Sequence, residues 1–343
     1  MLHLSKSKTV KWLSLLFVLA TLIGLFAVYA SIQAKSNQKN KSFIDNRQGE
    51  APQDGLYLSP VRIGFFWGYI NQNGQIEIEP QYLAAEDFSD NLALVSTENG
   101  HKYIDKTGSI AFELTIENGK SFSEGLASIK KNSKWGYIDL NGNIVIEPKF
   151  NIAEPFSEGL AVVSENGIKS GYIDIKGTYV IEPKYDMALS FSDGMAFVYP
   201  NSEGADLNNK KAYIGRDGNV VFQPTLKGYN YDLFSEGLAM IYNRDNLRYG
   251  YMNKKGEIVI ETQFEKTMHF SEGLAAVQDN NLCHFIDING NIIISDINFD
   301  YTKSFSEGMA AVLVNKSWGF IDKQGKLLID FELQEVGNFS KVE

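Results

Sequence analysis

The sequence predicts an all-β repeat protein of eight units of about 35 residues, each a three-stranded antiparallel meander, preceded by one N-terminal transmembrane helix. Three observations predict it. The phrase FSEGLA stands at 122–127, 156–161, 234–239 and 270–275, with near-copies at 88, 191 and 305. A second phrase, WGYI, keeps the same beat. An uncharged run of 21 residues lies near the N-terminus.

The N-terminal elements come first. Residues 1–11 carry Lys6, Lys8 and Lys11 and form a basic segment; 12–32 is uncharged and mostly apolar. About 20 such residues cross a hydrocarbon core, and the lysines are expected to stay on the cytoplasmic side. Two outcomes stay open: a retained signal-anchor with the C-terminal domain outside the cytoplasm, or a signal peptide cut after Ala30 or Ala34 that releases a secreted domain. The run exceeds the roughly 7–15 apolar residues of a signal peptide, which favours the anchor. Residues 33–53 are polar and aperiodic and read as a flexible linker. The repeat domain is placed at 54–343.

Within it, the phrase's phenylalanines fall at Phe88, Phe122, Phe156, Phe191, Phe234, Phe270, Phe305 and Phe339, in steps of 34 to 36 apart from one of 43 that holds loop insertions. A fixed period of this length marks a repeat architecture. The second phrase carries Trp67, Trp135 and Trp318, and its third position is aromatic in all eight copies. A third phrase reads IEPQY at 78, IEPKF at 146 and IEPKY at 181. Alternation in LASI and WGYID and the β-rich NIVIEP give three strands per unit. DLNG at 139–142 and DKTG at 105–108 place Asp first and Gly fourth, as a type I turn requires. Pro80, Pro148, Pro183 and Pro224 cannot donate to a ladder and mark a strand end or a sheet edge. Trp135 and Tyr137 point to one face and Ile138 to the other, so each sheet must lie between its neighbours. The recurring Ala127, Ala161, Ala196, Ala239, Ala275 and Ala310 suit a crowded place at that junction.

KWGYIDLNGNIVIEPKFNIAEPFSEGLAVV at 134–163 resembles the bacterial WG-repeat family, also called the KWG repeat. The resemblance covers about 54–340 and weakens where HK, KA and CH replace WG at 101, 211 and 283. It implies an exported or surface-associated protein, usually without enzymatic activity, and it brings no catalytic residues. Eight units form either a closed propeller-like ring or an open β-solenoid array. The lack of polar caps favours the ring.

Composition limits function. Beyond residue 32 the chain carries 29 basic and 42 acidic side chains, which repels nucleic acid. Cys283 is the only cysteine, so no zinc-finger spacing exists. No nucleophile elbow or phosphate loop is present. His101 reads as a filler of the aromatic slot, and Cys283 and His284, adjacent on a strand, face opposite ways. No catalytic, cofactor or metal residue is assigned. Asp90, Glu124, Glu158, Asp193, Glu236, Glu272 and Glu307 recur at one place in the phrase, and two readings stand: exposed turn acids, or an acidic ring for calcium or a basic partner. A glycosidase needs two acids in unlike environments, and equivalent acids do not supply that. The expected function is a non-enzymatic module that binds a protein or cell-envelope polymer, with an envelope glycan hydrolase or carbohydrate-binding protein as the alternative.

Overall fold

The expected helix over 12–32 and linker residues 33–48 lie outside what the computed structural model describes, which is residues 49–199 and 211–343 without the side chains of 296–298. Among the described residues no helix is long and apolar enough to cross a membrane. The chain from Gly49 onward forms eight antiparallel sheets, the blades of a closed propeller. Gly49 itself is tied to the ring, its N–H donating to the Leu327 carbonyl at 2.9 Å.

Blade 4 shows the plan. Its strands, from the ring's centre outward, are Ile152–Ala153, Ala161–Ser164, Ser170–Ile173 and Tyr179–Tyr185. The expected three-stranded unit is thus corrected: six blades have four strands, blade 2 has three and blade 1 has five. The added inner strand is two residues long in blades 2, 3, 4, 5, 7 and 8. That is too short for alternation to show in sequence.

Blade 1 closes the ring and excludes the open array. Its second strand, Leu56–Ile63, pairs with Glu335–Val336 and Ser340–Val342 from the far end of the repeat domain. Leu58 opposes Ser340 as Leu126 opposes Ser123 in blade 3. No Glu–Gly turn joins the two strands here, so they run on in register to Leu56 and Val342.

Each interface between blades is a small core. Between blades 3 and 4, Tyr137, Ile146, Phe150 and the half-buried Trp135 pack on Ala153, Phe156, Ala161 and Val163. Ile138 turns to the opposite core with Leu94 and Tyr103. The recurring alanines are fully buried, and Ser59 takes their place in blade 1. Between blades 8 and 1 the core is as continuous as elsewhere, with Val61, Ile70, Phe320, Val336 and Phe339. The phrase's phenylalanine always meets the third-position aromatic of the second phrase in the preceding blade: Tyr69 with Phe88, Tyr137 with Phe156 and Phe320 with Phe339, at 4.9, 4.9 and 4.7 Å between centroids. Such a contact adds about 0.5–1.5 kcal/mol beyond area burial. The tyrosine hydroxyl then donates across the interface, as Tyr137 does to the Glu154 carbonyl at 2.7 Å. Burial pushes that hydroxyl's pKa well above its usual value.

The glycine of WG has a reason inside its own blade. A Cβ at Gly68, Gly136, Gly171 or Gly250 would stand 2.4 or 2.5 Å from an outer-strand carbonyl oxygen. That outer strand bulges inward around Pro80, Pro148 and Pro183, which sit on the free edge where a missing N–H breaks no ladder bond. Where the glycine is replaced, the outer strand has changed. Blade 2, with Lys102, has no outer strand; blade 5, with Ala212, keeps only Val220–Phe222. In blade 7, with His284, the partners of Phe285 and Cys283 are Ile294 and Phe299, one residue further apart than Ile146 and Phe150 in blade 3.

Candidate functional site

The phrase FSEG makes the turn from inner to second strand. Ser157 pairs with Leu160, and Glu158 and Gly159 have φ of 55° and 77°, a type I′ turn. A glutamate is uncommon in this left-handed region, yet Asp90, Glu124, Asp193, Glu236, Glu272 and Glu307 share it. Each carboxylate reaches the next blade. Asp90 accepts the Gly125 N–H at 2.8 Å, Glu124 that of Gly159 at 2.8 Å, Glu158 that of Gly194 at 3.0 Å, Glu236 that of Gly273 at 2.9 Å and Glu272 that of Gly308 at 3.0 Å. Asp193 accepts from Gly237, and Glu307 from the Lys341 N–H at 3.4 Å. The Glu343 N–H, donating to Asn91 Oδ1 at 2.8 Å, completes the circle. Serines add a second circle, with Ser123, Ser157, Ser235, Ser271 and Ser306 each donating to the next phrase's Phe carbonyl at 2.6–2.8 Å.

The seven acids are therefore brought together as a relay of bonds between blades. Lys323 adds an ion pair to Glu272 at 3.0 Å from the following blade. Among the described residues no three His, Cys, Asp or Glu groups gather as a metal site. Glu158→Ala is expected to cost about 2 kcal/mol in urea unfolding, and Glu158→Gln about half of that, because the amide oxygen still accepts. Equal losses for both variants would refute the relay.

The remaining sequence-selected residues are structural in position. Phe88, Phe122, Phe156, Phe191, Phe234, Phe270 and Phe305 are buried at the blade junctions. Trp67, Trp135 and Trp318 are half-buried against three separate interface cores. Lys120 Nζ stands 5.5 Å from the centre of the Trp135 ring and Lys303 Nζ 6.0 Å from that of Trp318. The turn aspartates act locally: the Asn143 side chain and the N–H groups of Asn143 and Asn141 hold the Asp139 carboxyl below its usual value.

What sequence reasoning missed are the two residues before each phenylalanine. They directly follow the inner strands, falling within one only in blade 6, and vary from blade to blade, with Lys–Ser the one pair that occurs twice: Glu86–Asp87, Lys120–Ser121, Glu154–Pro155, Leu189–Ser190, Asp232–Leu233, Met268–His269, Lys303–Ser304 and Gly337–Asn338. Their variation beside a phenylalanine that recurs in all eight copies is the available signal. Lys120 pairs with Glu154 at 2.6 Å, and Ser121 donates to Glu86 at 2.5 Å. Around Glu86 and Asp87 a cavity of ≈330 Å³ opens, lined also by Trp67, Ser121, Lys303 and Val336. Asp87 accepts the Asn338 backbone N–H at 2.8 Å and its Nδ2 at 3.2 Å. Burial raises the Asp87 pKa, against the pull of Asn338 and Lys303.

A raised carboxyl pKa means that the folded chain holds this proton more tightly than the unfolded one. Its contribution to stability is present below the ordinary value of 3.8 and is lost as pH rises through the higher folded value. Asp87→Asn is expected to flatten that component. The check is the difference between wild-type and variant melting temperatures from pH 3 to 7; a difference that does not change with pH overturns it.

Fold and repeat together define a WG-repeat β-propeller. The description "WG containing repeat" matches residues 67–100, 103–135, 135–167, 171–199, 249–283, 285–317 and 318–341. The chain belongs to the WG-repeat family. No curated protein matches it. Among solved structures it is similar to a eukaryotic initiation factor, at 12% identity over 85% of this chain and 92% of that one, with a TM-score of 0.51. It is also similar to the dihydro-heme d1 dehydrogenase NirN in complex with DHE, at 10% identity over 86% and 77%, with a TM-score of 0.52. At these identities the likeness is one of fold.

Proposed function

We propose that this protein is an exported module, anchored by residues 12–32, whose propeller binds a protein or a cell-envelope polymer outside the cytoplasm without catalysing a reaction. One observation carries the reading. Residues that recur in every blade are engaged in joining blades, whereas the pair before each phenylalanine varies, and several of these residues, Glu86, Asp87, Ser121, Asp232 and Met268, line hollows open to a ligand. The 21-residue uncharged run behind three lysines supports the anchor.

A second reading, the glycan hydrolase or carbohydrate binder, has one observation in its favour: Trp67 stands beside two carboxyls in unlike environments, the exposed Glu86 and the half-buried Asp87. Against catalysis, the Asp87 carboxylate is already held by Asn338. A photo-crosslinking residue at Ser121 of the full chain, in cells that make it, separates these ideas. A discrete adduct of protein or polymer, absent when the probe sits on the outer strand at Val180, supports binding. Adducts no different from those at Val180 overturn it, and hydrolysis of isolated envelope glycan that is lost in Glu86→Gln would replace it with the second reading.

A further inference from the structure

The propeller contains a cation site that it fills itself in blades 3, 5 and 8. In blade 3, Lys120, directly after the inner strand, lies over Trp135 of the third strand and pairs with Glu154 of the next blade. In blade 8, Lys303 lies in the same way over Trp318. In blade 5 the residue before the third strand supplies the cation: Lys211 is buried, with Tyr231 and Tyr199 at 5.3 and 5.8 Å, and burial lowers its pKa. Blade 6 has the other two partners without the lysine. Asp232 holds the place of Lys120, and Tyr249 that of Trp135.

Two hollows of ≈330 and ≈440 Å³ meet there, sharing Asp232, Met240 and Tyr249 as walls. The first runs on past Met268 to Tyr301 and the second reaches Tyr242. The opening has a cause in sequence. Blade 7 carries the smaller Cys283 where Trp135 of blade 3 packs against Ala153 of the next blade, and Cys283 lines the first hollow together with Tyr249 of blade 6 and Tyr301 of blade 8. Tyr242 and Tyr249 pack with centroids 4.7 Å apart. Among the described residues no cation lies over either ring. The Asp232 carboxylate accepts the Leu233 N–H at 2.8 Å and has His269 Nε2 at 3.8 Å, with the carboxylate still 42% exposed. Lys266 borders only the first hollow.

We propose that this groove receives an arginine or lysine side chain of a polypeptide partner, its cation held between the Asp232 carboxylate and the faces of Tyr242 and Tyr249, its aliphatic stem along Met240 and Met268. Cation and aromatic face attract, more so when partly desolvated, and methionines adapt to a stem of variable shape. The net charge of −10 favours a basic partner. This inference rests on the binding reading above and names the chemistry of its partner.

The test uses the full chain in non-ionic detergent, labelled with ¹³C-methyl methionine, and two capped peptides, Gly-Gly-Arg-Gly-Gly and its norleucine counterpart. The arginine peptide is expected to shift the Met240 and Met268 methyl signals saturably, and the norleucine peptide to leave them in place. Asp232→Asn should weaken binding about tenfold, since it removes a charge-assisted bond. Cys283→Trp should abolish it while the melting temperature holds, because three other blades carry Trp there. No shift, an equal shift with norleucine, or full affinity in Asp232→Asn overturns the proposal. In cells, an adduct at Ser121 that persists in Asp232→Asn leaves the general binding reading standing and counts against this one alone.

Discussion

Truncation after Gln334 is expected to unfold all eight blades together. The removed residues include both segments that complete blade 1, Glu335–Val336 and Ser340–Val342. Their loss uncovers Val61, Ile70 and Phe320 by taking away Val336 and Phe339. It also frees the Lys303 ammonium from the Val336 carbonyl, Asp87 from Asn338 and Asn91 from Glu343. Burying two or three large apolar side chains contributes about 1.5–3 kcal/mol each, so their loss alone is comparable with a typical domain's whole stability of about 5–15 kcal/mol. Insolubility, or a melting temperature lowered by 15 °C or more in one sharp transition, is the expected outcome. An open array would behave otherwise, losing stability in proportion to length, and a shallow, graded decrease across successive truncations would contradict closure.

Gly136→Ala carries the second large effect. The new Cβ would sit 2.5 Å from the Ile146 oxygen and 2.6 Å from the Pro148 nitrogen, backbone atoms that cannot rotate away. Relief requires the outer strand to leave its bulge, at a cost of about 3 kcal/mol, the upper part of the range for overpacked cores. Lys102→Ala is the matched control, because blade 2 already holds a side chain there and lacks the outer strand. Its half-exposed ion pair with Glu113 contributes no more than about 1 kcal/mol. Guanidinium unfolding of both variants gives the comparison, and a Gly136→Ala loss no larger than that of Lys102→Ala would remove the explanation offered for the WG glycine.

Much of this fold is legible in the sequence because identical interfaces demand identical residues. Phe156 and Tyr137 recur since every junction needs the same ring pair, and Asp139 with Gly142 recurs since every outer hairpin needs the same turn. The fourth strand is not legible: two paired residues such as Ile152 and Ala153 leave no period to detect. The lack of polar caps points to a ring, but the pairing that closes it is hidden, because local pattern says nothing of Leu56 meeting Val342. The acids were visible as a set, but the role of Glu158 depends on where the next turn's Gly194 N–H lies. The groove shows in sequence only as a gap, Cys283 in place of Trp; that the gap adjoins Tyr249, Tyr301 and Asp232 is a product of folding.

The seam in blade 1 also orders events in time. Asp54 and Lys341, 287 positions apart, meet across it. A chain made from its N-terminus exposes the inner edge of Leu56–Ile63 while seven further blades are synthesised. That edge is a ready template for a stray strand, and only its distant partner covers it. Pro60 lies in the strand itself and, lacking an N–H, offers a foreign strand one hydrogen bond fewer during the wait. Folding of this protein thus faces one vulnerable interval, which ends when blade 8 has been made and blade 1 is sealed.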